Sequence, residues 1–119
     1  MSTMALVQGP DGVFAAWETD GQSYFAGSKA GTTDFTEPQA APGDGRGRKH
    51  PALAINARGE LLLAWTEGTG WQKGGSLAWQ LFDREGQPLA EKGRRAGAVP
   101  VWGLAAVVAR PDGGFTIID

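Results

Sequence analysis

The sequence contains no cysteine and only one histidine, His50. The first absence excludes disulfides, thiolate chemistry and cysteine-based zinc sites, and the second excludes a histidine-rich metal site within one chain. No stretch has the spacing of a phosphate-binding loop or of a calcium loop. We therefore expect neither a metal nor a cofactor.

A charge excess of either sign is also missing. Eleven Lys plus Arg face thirteen Asp plus Glu, so the net charge is -2. A chain so close to neutral lacks the overall attraction that nucleic acid or an acidic membrane requires. The apolar stretches are shorter than a bilayer needs, and no basic start precedes a long apolar run at the N-terminus. The sequence predicts a soluble chain without a signal peptide, and with neither nucleic acid nor membrane as a partner.

Helical periodicity is absent as well. No window carries apolar residues at helical spacing for three turns without an intervening glycine or proline. Instead, 19 Gly, 7 Pro and 5 Trp punctuate a sequence that is 41% hydrophobic. Short strands joined by tight turns, with aromatic packing between them, are typical of this composition. The sequence therefore predicts an all-β fold.

An internal repeat organises the predicted strands. An apolar strand, a turn and a second apolar strand occur three times, around Gly12, Gly59 and Gly113. These glycines are 47 and 54 residues apart, close to the roughly 40 to 50 residues of propeller-blade repeats. The segment ELLLAW is apolar at both odd and even positions, as expected for a sheet covered on both faces.

The first two repeats each continue with two more predicted strands. Four antiparallel strands make one propeller blade. The sequence thus predicts a single β-propeller segment of about two and a half blades, with blade one over about 4–42, blade two over about 50–92 and a half blade over about 103–119.

Three stretches carry a family resemblance: HPALAINARGELLLAWTEG, GGSLAWQLFDREGQPL and VPVWGLAAVVARPDGGFTII. They resemble the repeats of bacterial sialidase-like, BNR-type (Asp-box) β-propellers, and the resemblance covers nearly the whole chain from Met4. It implies a six-bladed ring in a longer polypeptide with a secreted or periplasmic parent; the chain's own localisation is not predicted. The family's Asp-box has one residue between Asp and Gly, whereas Asp11-Gly12 and Asp112-Gly113 are adjacent.

The resemblance concerns the blades and not an active site. Sialidases of that family use an arginine cluster, a tyrosine nucleophile with a glutamate partner, and an aspartate acid/base. This chain has one tyrosine, Tyr24, which we expect in a third strand, and no arginine falls within a predicted innermost strand. Glu18 and Glu67 follow equivalent strands and are expected to be solvated. We therefore assign no catalytic residue and expect a non-enzymatic module; a fragment of a sialidase-like glycoside hydrolase is the alternative.

Basic residues are predicted to gather at one end of the blades. In a four-stranded antiparallel blade, the loop between strands two and three lies at the same end as the link to the next blade. Aromatic rings beside cationic groups suit sugars, carboxylates or phosphates. We therefore predict a carbohydrate or anion site on this basic face, although soluble basic loops would have the same composition. The candidate ligand-binding residues are Arg46, Arg48, His50, Trp71, Lys73, Arg94 and Trp102, with Lys49, Lys92 and Arg95 on the same face.

Two and a half blades cannot close a ring. Natural propellers close with four to eight blades, and the last predicted strand is an open edge formed by Phe115, Ile117 and Ile118. The sequence therefore predicts a ring completed by homo-oligomerisation through this assembly edge. A dimer is favoured because two chains supply the strands of five blades. A fragment or an engineered chain that assembles propellers without a ligand is a further alternative.

Overall fold

The computed structural model describes residues 4–10, 12–29, 34–43, 45, 47–69, 74–100 and 104–118. Within these ranges the fold is all-β and contains no helix. The strands are β1 (Met4–Gly9), β2 (Gly12–Thr19), β3 (Gln22–Lys29), β4 (Gln39–Ala40), β5 (Arg48–Ile55), β6 (Leu61–Glu67), β7 (Gly75–Phe82), β8 (Pro88–Val99), β9 (Ala106–Ala109) and β10 (Phe115–Ile118). The described residues include no helix long and apolar enough to cross a membrane.

The described strands form two four-stranded sheets and one hairpin. Sheet 1 has the order β1-β2-β3-β4, sheet 2 has the order β5-β6-β7-β8, and the terminal hairpin pairs β9 with β10. Every neighbouring pair is antiparallel. The predicted all-β class and the predicted antiparallel four-stranded sheets are confirmed.

Three of the hairpin turns have the same backbone geometry. They span Asn56–Glu60, Asp83–Gln87 and Arg110–Gly114. In each, the N–H of the first residue donates to the C=O of the last, and a glycine N–H donates back to the C=O of the first. That glycine lies in the left-handed region, which L-residues with a Cβ enter only at a cost. The three glycines are Gly59, Gly86 and Gly113, with φ of 84, 85 and 90°.

Gly12 does not belong to this set. It is the first residue of β2, it pairs with Gly9, and its φ is 144°. Only two residues connect β1 to β2, so this turn is a shorter hairpin than the turns at Gly59 and Gly113. The predicted equivalence of Gly12 with Gly59 and Gly113 is therefore wrong in turn geometry.

Sheet 1 packs against one face of sheet 2. Ala16 and Phe25 from sheet 1 meet Leu63, Trp65 and Phe82 from sheet 2 in the larger apolar core. The rings of Phe25 and Phe82 lie 4.6 Å apart at an interplanar angle of 49°. Tilted aromatic pairs at this separation add to the stabilisation that burial of their surface already gives.

The terminal hairpin packs against the other face of sheet 2. Val107 and Ile117 from the hairpin contact a smaller core that contains Ala64 and Leu77. Because sheet 2 is covered on both sides, all seven residues of β6 are buried. A strand in this position is apolar at successive positions and does not alternate.

Sheet 2 extends beyond its predicted bounds at both ends. β5 begins at Arg48, and β8 runs to Val99. The register of β5 shifts between Lys49 and Ala52, and His50 takes a φ of 52°. This bulge carries the strand past Pro51, so the prediction that no arginine lies in a first strand is wrong.

The two end faces of the molecule expose apolar side chains. On sheet 1, Met4 and Leu6 are 67% and 64% exposed on the face turned away from sheet 2. On the terminal hairpin, Val108 and Ile118 are exposed on the face turned away from sheet 2. Within the described residues, each end therefore presents a sheet face with no covering layer.

Candidate ligand-binding cleft

A cleft of about 650 Å³ opens where the link between β4 and β5 passes over sheet 2. The register of the strands explains its lining. Ala78 pairs with Trp65 on one side and with Arg94 on the other, and Gln80 pairs with Lys92. Directly paired residues in an antiparallel sheet point to the same face. Side chains from β6, β7 and β8 therefore converge on one surface.

A buried ion pair lies beneath the link. Arg48 Nε donates to Glu67 Oε2 at 3.1 Å, and the two side chains are only 3% and 7% exposed. Arg48 and Glu67 are register partners in β5 and β6. Cross-strand pairing thus brings together two charges that are 19 residues apart in the sequence.

The remaining donors of Arg48 reach sheet 1 and the link. Its terminal nitrogens donate to Gln22 Oε1 at 3.0 Å and to the carbonyls of Ala41 and Pro42, each at 2.6 Å. Its guanidinium also lies 5.1 Å from the centre of the Trp65 ring, within the range of a cation–π contact. Through these hydrogen bonds, Arg48 connects the link between β4 and β5 to both sheet 1 and sheet 2.

Glu67 accepts two further hydrogen bonds. The indole Nε1 of Trp65 donates to Oε2 at 2.9 Å, and Arg94 Nε donates to Oε1 at 3.0 Å. The link backbone at Gly45 packs directly on this group, because a Cβ there would collide with the Glu67 carboxylate and Arg48 Nε. The charges of Glu67 and Arg48 are thus compensated and shielded together.

Arg94 differs from Arg48 in its exposure. Its side chain is 58% exposed while its Nε is held by Glu67. Among the described residues that line the cleft, the cationic side chains of Arg48, Lys92 and Arg94 outnumber the one carboxylate, that of Glu67. A fixed, exposed guanidinium offers a planar pair of donors that matches a carboxylate or a phosphate.

Two of the predicted ligand-binding residues, Arg48 and Arg94, line this cleft. His50 does not line it: its backbone N–H lies 3.4 Å and its Nδ1 lies 3.8 Å from Glu18 Oε1. The predicted residues Arg46, Trp71, Lys73 and Trp102 lie outside the described residues. Of the predicted assembly edge, Phe115 and Ile117 are half-buried against sheet 2 and Ile118 is exposed.

The cleft residues that were not predicted as site residues include Trp65, Glu67 and Gln80. The expectation that Glu18 and Glu67 are solvated strand ends is wrong, since their side chains are 11% and 7% exposed. One signal in the sequence could have identified Glu67. It ends a run of strand residues predicted to be covered on both faces, where a carboxylate needs a partner.

A second polar cluster lies where the β5–β6 turn meets the turn of the terminal hairpin. Asn56 Nδ2 donates to Glu60 Oε1 at 2.8 Å and to the carbonyl of Gly113 at 3.0 Å. Arg58 Nε donates to the same Glu60 oxygen at 3.0 Å. The hydrogen bond from Asn56 has the largest effect on the pKa of Glu60, and the hydrogen bond from Arg58 the next largest; both lower this pKa below its ordinary value. This cluster ties the β5–β6 turn to the terminal hairpin.

Within the part of the chain that the structure describes, no group of three or more His, Asp or Glu side chains could hold a metal ion. Comparisons with protein-family models, with curated proteins and with solved structures found no match to this chain. The cleft is therefore interpreted from its own residues and geometry.

Proposed function

We propose that this chain is a non-enzymatic repeat module of the β-propeller type that binds a small anion or an acidic carbohydrate in the cleft over sheet 2. The observation that carries the proposal is Arg94, an exposed guanidinium held at the cleft rim by the buried Glu67. A cationic group that is already oriented loses less conformational entropy when it binds an anion.

The lining favours a carboxylate-bearing ligand over a neutral sugar. Trp65 is only 4% exposed, so it forms the floor of the cleft and offers little ring surface for stacking. Recognition then depends on Arg94 and Lys92, because Gln80 is also buried and its amide donates to backbone carbonyls of β7 and β8. A volume of about 650 Å³ lies within the roughly 300 to 1,000 Å³ of small-molecule sites.

The position of Tyr24 supports a non-enzymatic module. Tyr24 is the only tyrosine of the chain, and its ring stacks against Trp17 with centroids 6.2 Å apart. Its neighbour Phe25 points into the core between the two sheets, so Tyr24 points to the opposite face of sheet 1, away from the cleft. A tyrosine nucleophile is thus not available to a ligand in the cleft.

Calorimetric titration with glucuronate and with glucose tests the binding proposal. We expect saturable binding of glucuronate, no binding of glucose, and at least a tenfold loss for Arg94→Gln, since a hydrogen bond to a charged group contributes about 1.5 to 3 kcal/mol. Arg110→Gln, an exposed arginine in a distant turn, is the matched control. Equal affinity for both sugars would contradict the proposal. Turnover of a fluorogenic sialoside would instead favour the hydrolase alternative.

Self-association is a second proposed property, and the exposed end faces carry it. Sheet 1 packs on sheet 2, and sheet 2 packs on the terminal hairpin, so one kind of sheet-on-sheet contact occurs twice within the chain. The free face with Met4 and Leu6 and the free face with Val108 and Ile118 are the two halves of a third such contact. A head-to-tail ring, with a dimer favoured, would cover both faces.

A further inference from the structure

The terminal hairpin covers only part of the face of sheet 2 on which it packs. It lies over β5 and β6, and a groove of about 810 Å³ remains beside β10, over β7 and β8. The groove is mainly apolar, and Arg58, Glu60, Glu91 and Arg95 contribute charged groups to its lining. Its apolar side chains are Leu62, Leu77, Trp79, Leu81, Leu89, Phe115 and Ile117.

The open side of this groove is a strand edge. Within the described residues, β10 pairs with β9 alone. The N–H of Arg110 donates to the C=O of Gly114, and hydrogen-bonded pairs alternate along an antiparallel ladder. Phe115 and Ile117 therefore direct their backbone N–H and C=O groups away from β9. These are the groups through which a further strand would pair.

The two complete sheets indicate what belongs at this edge. In sheet 1, β3 pairs with the outer side of β2; in sheet 2, β7 pairs with the outer side of β6. The shared turn geometry aligns Phe115 with Leu61 and Ile117 with Leu63. In sheet 2, Leu61 and Leu63 pair with Phe82 and Gln80 of β7. An antiparallel strand in the same register would pair with Ile117 and Phe115.

We propose that β10 and the adjoining groove form an acceptor site for an extended peptide strand donated by a separate protein. The donor strand runs antiparallel to β10, and in the register of β7 it carries a large apolar side chain opposite Phe115, as Phe82 stands opposite Leu61. This side chain and those at alternate positions along the donor face the groove lined by Trp79, Leu81 and Leu89. The site continues the contact between sheet 2 and the terminal hairpin, and its backbone pairing is the peptide-recognition mode of strand addition. It lies on the face of sheet 2 opposite the anion cleft and does not depend on that cleft.

A synthetic peptide with the sequence of Gly75–Phe82 tests the proposal directly, since this segment covers the equivalent edge in sheet 2. Added N-terminal lysines keep it soluble, and fluorescence anisotropy of a labelled form measures its binding. We expect saturable binding. N-methylation at the position of Gln80 removes a donor to β10 and should weaken binding at least tenfold. The same change at the position of Leu81 faces away from β10 and should leave binding unchanged.

A pair of protein variants tests the apolar side of the groove. Leu89→Glu places a carboxylate in the groove and should weaken peptide binding at least tenfold, whereas Ala90→Glu, at an exposed adjacent position, should not. Circular dichroism verifies that both variants fold. Absence of saturable binding, or equal binding of the two N-methylated peptides, would overturn the proposal. An oligomer that the peptide cannot enter would assign the edge to a second copy of the chain and would also overturn it.

Discussion

Arg48 and Glu67 stand opposite each other across β5 and β6 and form a 3.1 Å ion pair that is almost fully shielded from solvent. The desolvation of two charges is costly. Their attraction offsets this cost only when further hydrogen bonds satisfy the remaining donors and acceptors of the pair. Gln22, two link carbonyls and Trp65 provide those bonds. The pair therefore couples the position of the link to the position of both sheets.

Removal of one partner should destabilise the fold strongly. We expect Arg48→Ala to lower the free energy of unfolding by about 3 to 5 kcal/mol, because it leaves Glu67 buried with less compensation. Urea denaturation at neutral pH measures the change. Arg58→Ala removes the exposed ion pair with Glu60 and should cost no more than about 1 kcal/mol. Equal effects of the two variants would show that burial of the pair is not what matters.

The shared turn geometry predicts that different substitutions of Gly86 destabilise the fold to different extents. Gly86→Ala should cost about 1 to 2 kcal/mol, because a residue with a Cβ is strained at a φ of 85°. Space is not limiting, since the nearest atom to an added Cβ is Gln39 Oε1 at 3.6 Å. Gly86→Asn should cost less, because Asn tolerates this conformation better. Thermal unfolding of the three proteins provides the test, and a larger loss for Asn than for Ala would contradict the backbone explanation.

The polar cluster at Glu60 predicts a specific acid sensitivity. The pKa of Glu60 is lowered from its ordinary value of 4.5, first by the hydrogen bond from Asn56 and then by that from Arg58. Because the folded-state pKa lies below the unfolded one, the stabilisation is present above pH 4.5 and is lost as pH falls through the folded-state pKa. The free energy of unfolding should decrease less between pH 6 and pH 3 in Glu60→Gln than in the unsubstituted protein. Identical decreases would exclude this role for Glu60.

The exposed end faces predict concentration-dependent association. Sedimentation velocity at micromolar concentration should detect an oligomer. Leu6→Glu should shift it toward monomer, because burial of each large apolar side chain contributes about 1.5 to 3 kcal/mol. Gln87→Glu adds the same charge at an exposed position next to the β7–β8 turn of sheet 2, outside both end faces, and is the control. A folded monomer of the unsubstituted chain at this concentration would contradict the assembly proposal.

Much of the fold could be predicted from the sequence because it depends on local patterns. The first five residues of β6, from Leu61 to Trp65, are all apolar, and turn glycines separate the strands. Gly59, Gly86 and Gly113 each stand where a left-handed residue is needed. The extra length of β8 was missed, since its last residues have small or charged side chains that a strand pattern does not distinguish from a loop.

The candidate cleft was harder to predict because its central contact is long-range. Arg48 lies in a Gly-rich, basic stretch and Glu67 follows a tryptophan and a threonine, and each residue alone has the composition of a solvated segment. Only the register of β5 with β6 brings the two together, and that register includes a bulge at His50. A one-residue slip would have placed Arg48 on the other face of the sheet.

The burial of β6 on both of its faces also has a consequence for the sequences this fold can accept. In a strand with one solvated face, every second position tolerates charged residues, so a saturation-mutagenesis map alternates between tolerant and intolerant positions. Every position of Leu61–Glu67 is buried, so this strand has no solvated face. Its map should instead show that charged residues are rejected at every position of the strand. A substitution in this strand would then need a compensating substitution in sheet 1 or in the terminal hairpin, which pack on its two faces.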